Sequence, residues 1–128
     1  MPNTIPDLWP ANFGEVAELS PEAILKVQAS HLAQKTKGAV VGEVKTLVEN
    51  GWVVSNFNLL APALNNYRYK LFSITHQFEP YPINFYAPRT EEPRTISDEA
   101  QLLGQLSEVL QAEFTARIIS SLIEHSQS

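Results

Sequence analysis

Cysteine is absent from the sequence. That excludes disulfide staples and thiolate zinc sites, and it fits a reducing compartment. Charge is scarce as well: 18 % of residues are Asp, Glu, Lys or Arg, against roughly 25 % in an ordinary globular chain. The polar share falls to Asn, Gln, Ser and Thr instead. No apolar run approaches the ~20 residues of a membrane-spanning helix. The opening Met1-Pro2-Asn3-Thr4-Ile5-Pro6 lacks the basic region and apolar core of a signal peptide. The expectation is a soluble, cytoplasmic protein with no membrane association.

Catalytic motifs are equally sparse. No Gly-x-Ser-x-Gly elbow occurs. Gly38, Gly42 and Gly51 are too widely spread for a phosphate-cradling loop. His31, His76 and His125 are scattered, and no two of them stand one helical turn apart as metal ligands on a helix do. No metal and no cofactor is expected. The net charge of −5 repels phosphate backbones at a distance, which argues against a nucleic-acid partner.

What is present is periodic apolar patterning in 128 residues, a common size for one domain. Residues 1–19 carry Pro2, Pro6 and Pro10 and read as an irregular arm. Leu8, Trp9 and Phe13 are placed to pin that arm to the domain core or to another subunit. Ser20-Pro21-Glu22 then combines a cap, a residue suited to the first helical position and an acid at the positive end of the dipole. The spacing of Ile24, Leu25, Ala29, Leu32 and Ala33 predicts a helix over 21–37, with Gly38 as its left-handed stop.

Residues 39–49 alternate, and Asn50-Gly51 is the favoured pair for a two-residue hairpin. Trp52 to Phe57 reads as the returning strand. A short helix ending at Asn50-Gly51 also fits Val41, Val44, Leu47 and Val48. The β-branched residues on both sides of the turn favour the hairpin. Leu60 to Asn66 reads as a loop. Tyr67 to Phe78 reads as a strand with apolar groups on both faces, hence a central one: Tyr67, Tyr69 and Leu71 on one side, Phe72, Ile74 and His76 on the other. Glu79-Pro80-Tyr81-Pro82 is a turn, Ile83 to Ala87 a last strand, and Pro88 to Ile96 a polar loop with Arg89, Arg94 and the acids Glu91 and Glu92. Ser97 caps a long final helix whose stripe runs through Leu103, Leu106, Leu110, Phe114, Ile118 and Leu122, with Gly104 marking close packing.

The predicted class is α+β: one domain over 1–128 with an N-terminal helix, an antiparallel sheet of three to four strands and a long C-terminal amphipathic helix. By element order alone this resembles cystatin-like and secretion-chaperone-like folds. Such layouts host inhibitors, adaptors and small-molecule enzymes, so the resemblance implies no single activity.

Three constellations are candidates for function. His76, Glu79 and Tyr81 cluster near one strand end, where a carboxylate can orient an imidazole for proton transfer. Tyr67-Arg68-Tyr69-Lys70 mixes aromatics with cations as single-strand binders do, but strand alternation puts the two kinds on opposite faces. Phe114, Ile118, Ile119, Leu122 and Ile123 lie where a long helix overshoots a sheet, and a second subunit would cover them there. The function expected is a non-enzymatic protein-interaction module, such as an adaptor, a chaperone-like binder or an inhibitor, with a protein partner or a homodimer. The alternative is a small-molecule binder or enzyme with an apolar pocket between sheet and helix, lined by Trp52, Phe57, Phe72, Ile74, His76 and Phe85.

Overall fold

The first helix begins where its cap and proline place it. In the computed structural model, which describes residues 5–9, 20–90 and 92–127, Ser20 Oγ accepts the Ala23 amide at 3.1 Å and Pro21 opens α1 (Pro21–Lys35). The helix stops because Lys37 and Gly38 both take positive φ, 54° and 84°. Phe13 and Glu91 lie outside the described residues. Leu8 and Trp9 are largely exposed.

Five antiparallel strands follow, in spatial order identical to chain order. They are β1 (Val41–Glu49), β2 (Trp52–Ala61), β3 (Tyr67–His76), β4 (Ile83–Tyr86) and β5 (Arg94–Ile96). Asn50 and Gly51, at φ 51° and 82°, make the hairpin turn between β1 and β2, a turn type that needs positive φ at both positions. This decides against the helical alternative over 40–49. The strand count exceeds the predicted three to four because Arg94-Thr95-Ile96 pairs with Phe85-Asn84-Ile83. Three residues leave too short a pattern to distinguish from a polar loop. Leu60 and Ala61 extend β2, and a turn of 3₁₀ helix at Pro62–Leu64 leads through left-handed Asn65 and Asn66 into β3. The Tyr81–Pro82 peptide is cis.

The apolar groups on both sides of β3 have a specific cause. Phe57 pairs with Phe72 while Asn58 pairs with Lys70, so Leu71 has no partner on β2 and forms a bulge. Face parity therefore switches at Leu71. Tyr69 and Leu71 before it, and Phe72, Ile74 and His76 after it, all face the helices, while Arg68, Lys70, Ser73 and Thr75 face away. Phe72 stacks between Phe57 and Phe85 at centroid distances of 5.0 and 4.9 Å, joining three adjacent strands. Each buried ring contributes about 1.5–3 kcal/mol, and each stacked pair about 0.5–1.5 kcal/mol more.

The long C-terminal helix is two helices, α2 (Glu99–Leu110) and α3 (Glu113–Ser126). Asp98, and not Ser97, caps α2, its Oδ1 accepting the Gln101 amide at 2.8 Å. The break follows from the stripe itself. Spacings of four drift by roughly 40° per step on a helix advancing about 100° per residue. From Leu106 to Leu122 the drift reaches roughly 160°, so one straight helix would turn its apolar side off the sheet. A continuation of the buried positions Leu102, Leu106 and Val109 would bury Glu113 and Arg117. Instead the chain breaks at Gln111-Ala112, and the buried Thr115 hydroxyl donates to the Val109 carbonyl at 2.6 Å.

All three helices cover one face of the sheet. α1 lies on β1, α3 on β2, and α2 on β5. The contact of α1 with β1 requires Gly42: a Cβ there would stand 2.6 Å from both Cα and Cβ of Ala29 and 3.0 Å from the Phe57 ring. Gly104, by contrast, faces open space on α2, which corrects the expectation of close packing. The two glycines make opposite predictions under chemical denaturation. Gly42→Ala is expected to destabilise by about 1–3 kcal/mol through overpacking. Gly104→Ala is expected to stabilise by about 1 kcal/mol through helix propensity.

Candidate binding groove

Because α1 sits over β1 while α2 and α3 sit toward β2 and β5, the helix layer parts above the middle of the sheet. The gap is a groove of about 560 Å³. Its floor is Phe57 and Leu59 of β2 with Leu71, the bulge residue of β3. One wall is the second half of α1, with Leu32 inward and Gln28, His31 and Lys35 toward the lip. The other wall is Leu103, Leu106 and Leu110 of α2 with Ala116 and Ile119 of α3, interspersed with Ser107, Gln111, Thr115 and Ser120. Among the described residues, the lining holds a lysine, a histidine and no carboxylate. In a chain of net charge −5 that is a local departure toward positive potential. The volume falls within the ~300–1,000 Å³ of ligand-binding clefts.

The apolar pocket expected around Trp52, Phe57, Phe72, Ile74, His76 and Phe85 is not where the space lies. The three phenylalanines fill it by stacking, Ile74 is fully buried, and Trp52 is 40 % exposed at the hairpin tip. Of those residues, Phe57 alone lines the groove. The sequence signal for the groove was the drifting stripe: residues that rotate away from a flat contact must face something else. Leu103, 46 % exposed, is the clearest of them.

His76 is buried at the end of β3 and tied at both ring nitrogens. Nε2 lies 2.5 Å from Glu22 Oε1, and Nδ1 meets the Gln77 carbonyl oxygen. Both ring nitrogens are thus engaged by protein oxygens. The carboxylate against it comes from the first turn of α1. Glu79, four residues along the chain from Thr75, is exposed, and Tyr81 packs against the core. This arrangement clamps the start of α1 to the far end of the sheet and leaves His76 no free nitrogen for a substrate.

Tyr67 and Tyr69 are parted from Arg68 and Lys70 as alternation requires. Tyr67 is half-exposed, and Tyr69 turns to the ring of Phe114 at 6.5 Å. Arg68 lies on the opposite face and grips Glu43 with Nε and Nη2 at 2.5 and 2.9 Å, while Asn58 donates to the same carboxylate at 3.0 Å. These donors hold the Glu43 carboxyl at about 2, well below its ordinary 4.5. Two further arginines are similarly engaged. Arg89 stacks over Phe114 at 4.1 Å, and Arg94 donates to Gln105 at 2.7 Å beside Glu108. The stretch read as a polar loop thus fastens β5 and its preceding segment to α2 and α3.

The stripe of α3 faces inward. Leu122 belongs to the core, and Phe114, Ile118, Ile119 and Ile123 are half-buried against it. Among the described residues no group of three or more His, Asp or Glu stands close enough to hold a metal ion, and no helix is long and apolar enough to cross a membrane. Comparison of the chain with protein-family models, with curated proteins and with solved structures returned no match.

Two outcomes follow for the clamps. Glu22→Ala is expected to cost about 1–3 kcal/mol in urea denaturation, because His76 is left buried with an unsatisfied nitrogen. The Glu43 carboxyl has a folded-state pKa below its unfolded value, so its contribution is complete above pH 4.5 and is lost as pH falls toward about 2. Arg68→Met is therefore expected to lower the urea midpoint at neutral pH, with the two proteins converging near pH 2. A difference independent of pH would show that the alkyl chain of Arg68, and not its charge, is what matters.

Proposed function

We propose that this chain is a non-enzymatic protein-interaction module that receives an apolar segment of a partner protein in the groove between α1 and the α2–α3 pair. The observation that carries this reading is the groove's lining: an apolar floor, walls that mix leucines with uncharged polar groups, Lys35 and His31 at the lip, and no carboxylate. Such a lining offers burial of apolar area as the driving force and favours a segment with acidic flanks. The polar groups best placed for chemistry are engaged elsewhere, His76 with Glu22 and Arg68 with Glu43. A second reading, a free small apolar ligand in the same groove, is supported by its volume. The cystatin-like and chaperone-like element order is compatible with either.

The test is site-specific photo-cross-linking in the source cells, with the photoreactive residue at Leu103 on the groove lip or at Thr95 on the opposite face as control. The expected result is a discrete protein adduct at 103, absent at 95 and lost when Ala116→Trp fills the groove. Absence of any protein adduct at 103, together with a small-molecule mass increment in native mass spectrometry, would replace the partner segment with a free ligand.

A further inference from the structure

We infer that the exposed edge of β1 is a self-association surface, on which a second copy of this chain adds its own β1 antiparallel about a two-fold axis at Val44. The proposal is independent of the groove. Among the described residues β1 has a strand on one side only. It is nine residues long and pairs with β2 in unbroken register, so it is a regular edge with no bulge to turn it away. Proteins usually blunt such edges or cover them. The opposite edge, β5, is blunted by being three residues long. On β1, Leu47 and Val48 are 43 % and 59 % exposed.

The charges select one register. Symmetric antiparallel pairing must keep residues of one sheet face opposite one another, which leaves few alignments with extensive overlap. Full overlap of the strand centres the axis on Lys45 and sets Lys45 against its own copy. Shifting the axis to Thr46 sets Glu43 against Glu49. Shifting it to Val44 sets Lys45 twice against Glu43, whose carboxylate also holds Arg68 and Asn58 of its own sheet, sets Leu47 against Val41 twice, and sets Val44 against itself. Like charges directly opposite on a sheet destabilise and opposite charges stabilise, so the third alignment is preferred. The backbone permits all three alignments, so the charges alone choose among them. A two-residue turn makes Glu49 and Trp52 a hydrogen-bonded pair, and by alternation Gly42, Val44, Thr46 and Val48 aim their amides and carbonyls away from β2.

The helix above the edge fits the same geometry. Beside α1 runs an open trough formed by Lys26, Ala29, Ser30 and Ala33 with Val41, Gly42 and Val44. Joining two β1 strands at Val44 brings the two α1 helices side by side over the seam, where Ala29, Ser30 and Ala33 permit close approach and the exposed Lys26 stands at the rim.

The absence of cysteine makes the test direct. Single-cysteine variants Val44→Cys, Lys45→Cys and Thr46→Cys place one thiol on the two-fold axis of each of the three registers in turn. Mild oxidation, or a short bis-maleimide, is expected to cross-link Val44→Cys alone. Sedimentation of the unmodified chain at high micromolar concentration should give twice the 14.3 kDa chain mass. Lys45→Glu should weaken the dimer by roughly tenfold, while Glu49→Lys leaves it unchanged, with circular dichroism confirming that both variants fold. A monomer in sedimentation, or preferential cross-linking at 45 or 46, overturns the proposal.

Discussion

The rest of the fold depends on the bulge at Leu71. A regular β3 would send Tyr69 and Leu71 to one face and Phe72, Ile74 and His76 to the other, and half of that apolar set would meet water. With one unpaired residue, the strand delivers all five to the helix side. The stack of Phe57, Phe72 and Phe85 across three strands requires that switch. So does the floor of the groove, where Leu71 lies beside Phe57 and Leu59. The opposite face is left to Arg68, Lys70, Ser73 and Thr75, and the ion pair of Arg68 with Glu43 settles there.

The helix layer answers the same problem from above. A flat apolar floor cannot be covered by one helix whose stripe rotates as it advances. Breaking the stripe at Gln111-Ala112 allows each half to present its own apolar side, with Thr115 and Val109 fastening the joint. Two helices at one end and α1 at the other then leave a gap in the middle, because Gly42 draws α1 close onto β1. The groove is thus the remainder of three packing requirements.

Charge is used sparingly and mostly to fasten elements together. Glu22 and His76 tie the start of α1 to the end of β3. Arg94 ties β5 to α2, and Arg89 holds its loop on Phe114. Apart from these committed polar groups stand the apolar groove and, among the described residues, the open edge of β1.

Much of the fold was legible in the sequence wherever the signal was local. Ser20-Pro21 determined the start of α1, and Asn50-Gly51 the hairpin, because a cap and a left-handed turn depend on a few adjacent residues. The α+β class followed from the change of apolar period along the chain. β5 was not legible, since three residues carry no period. The groove was barely legible, since its lining comes from α1, β2, β3, α2 and α3 and only Phe57 was singled out for a pocket. The partner of His76 was illegible for the same reason: Glu22 stands 54 positions away in sequence, and Glu79 was the acid nearby. The sequence by itself determined which segments are helix and which are strand, through caps, turns and periodicity. The tertiary structure alone decided the face parity of β3, the break between α2 and α3 and the open space above Phe57, because each depends on how volumes from distant segments fill one shared layer.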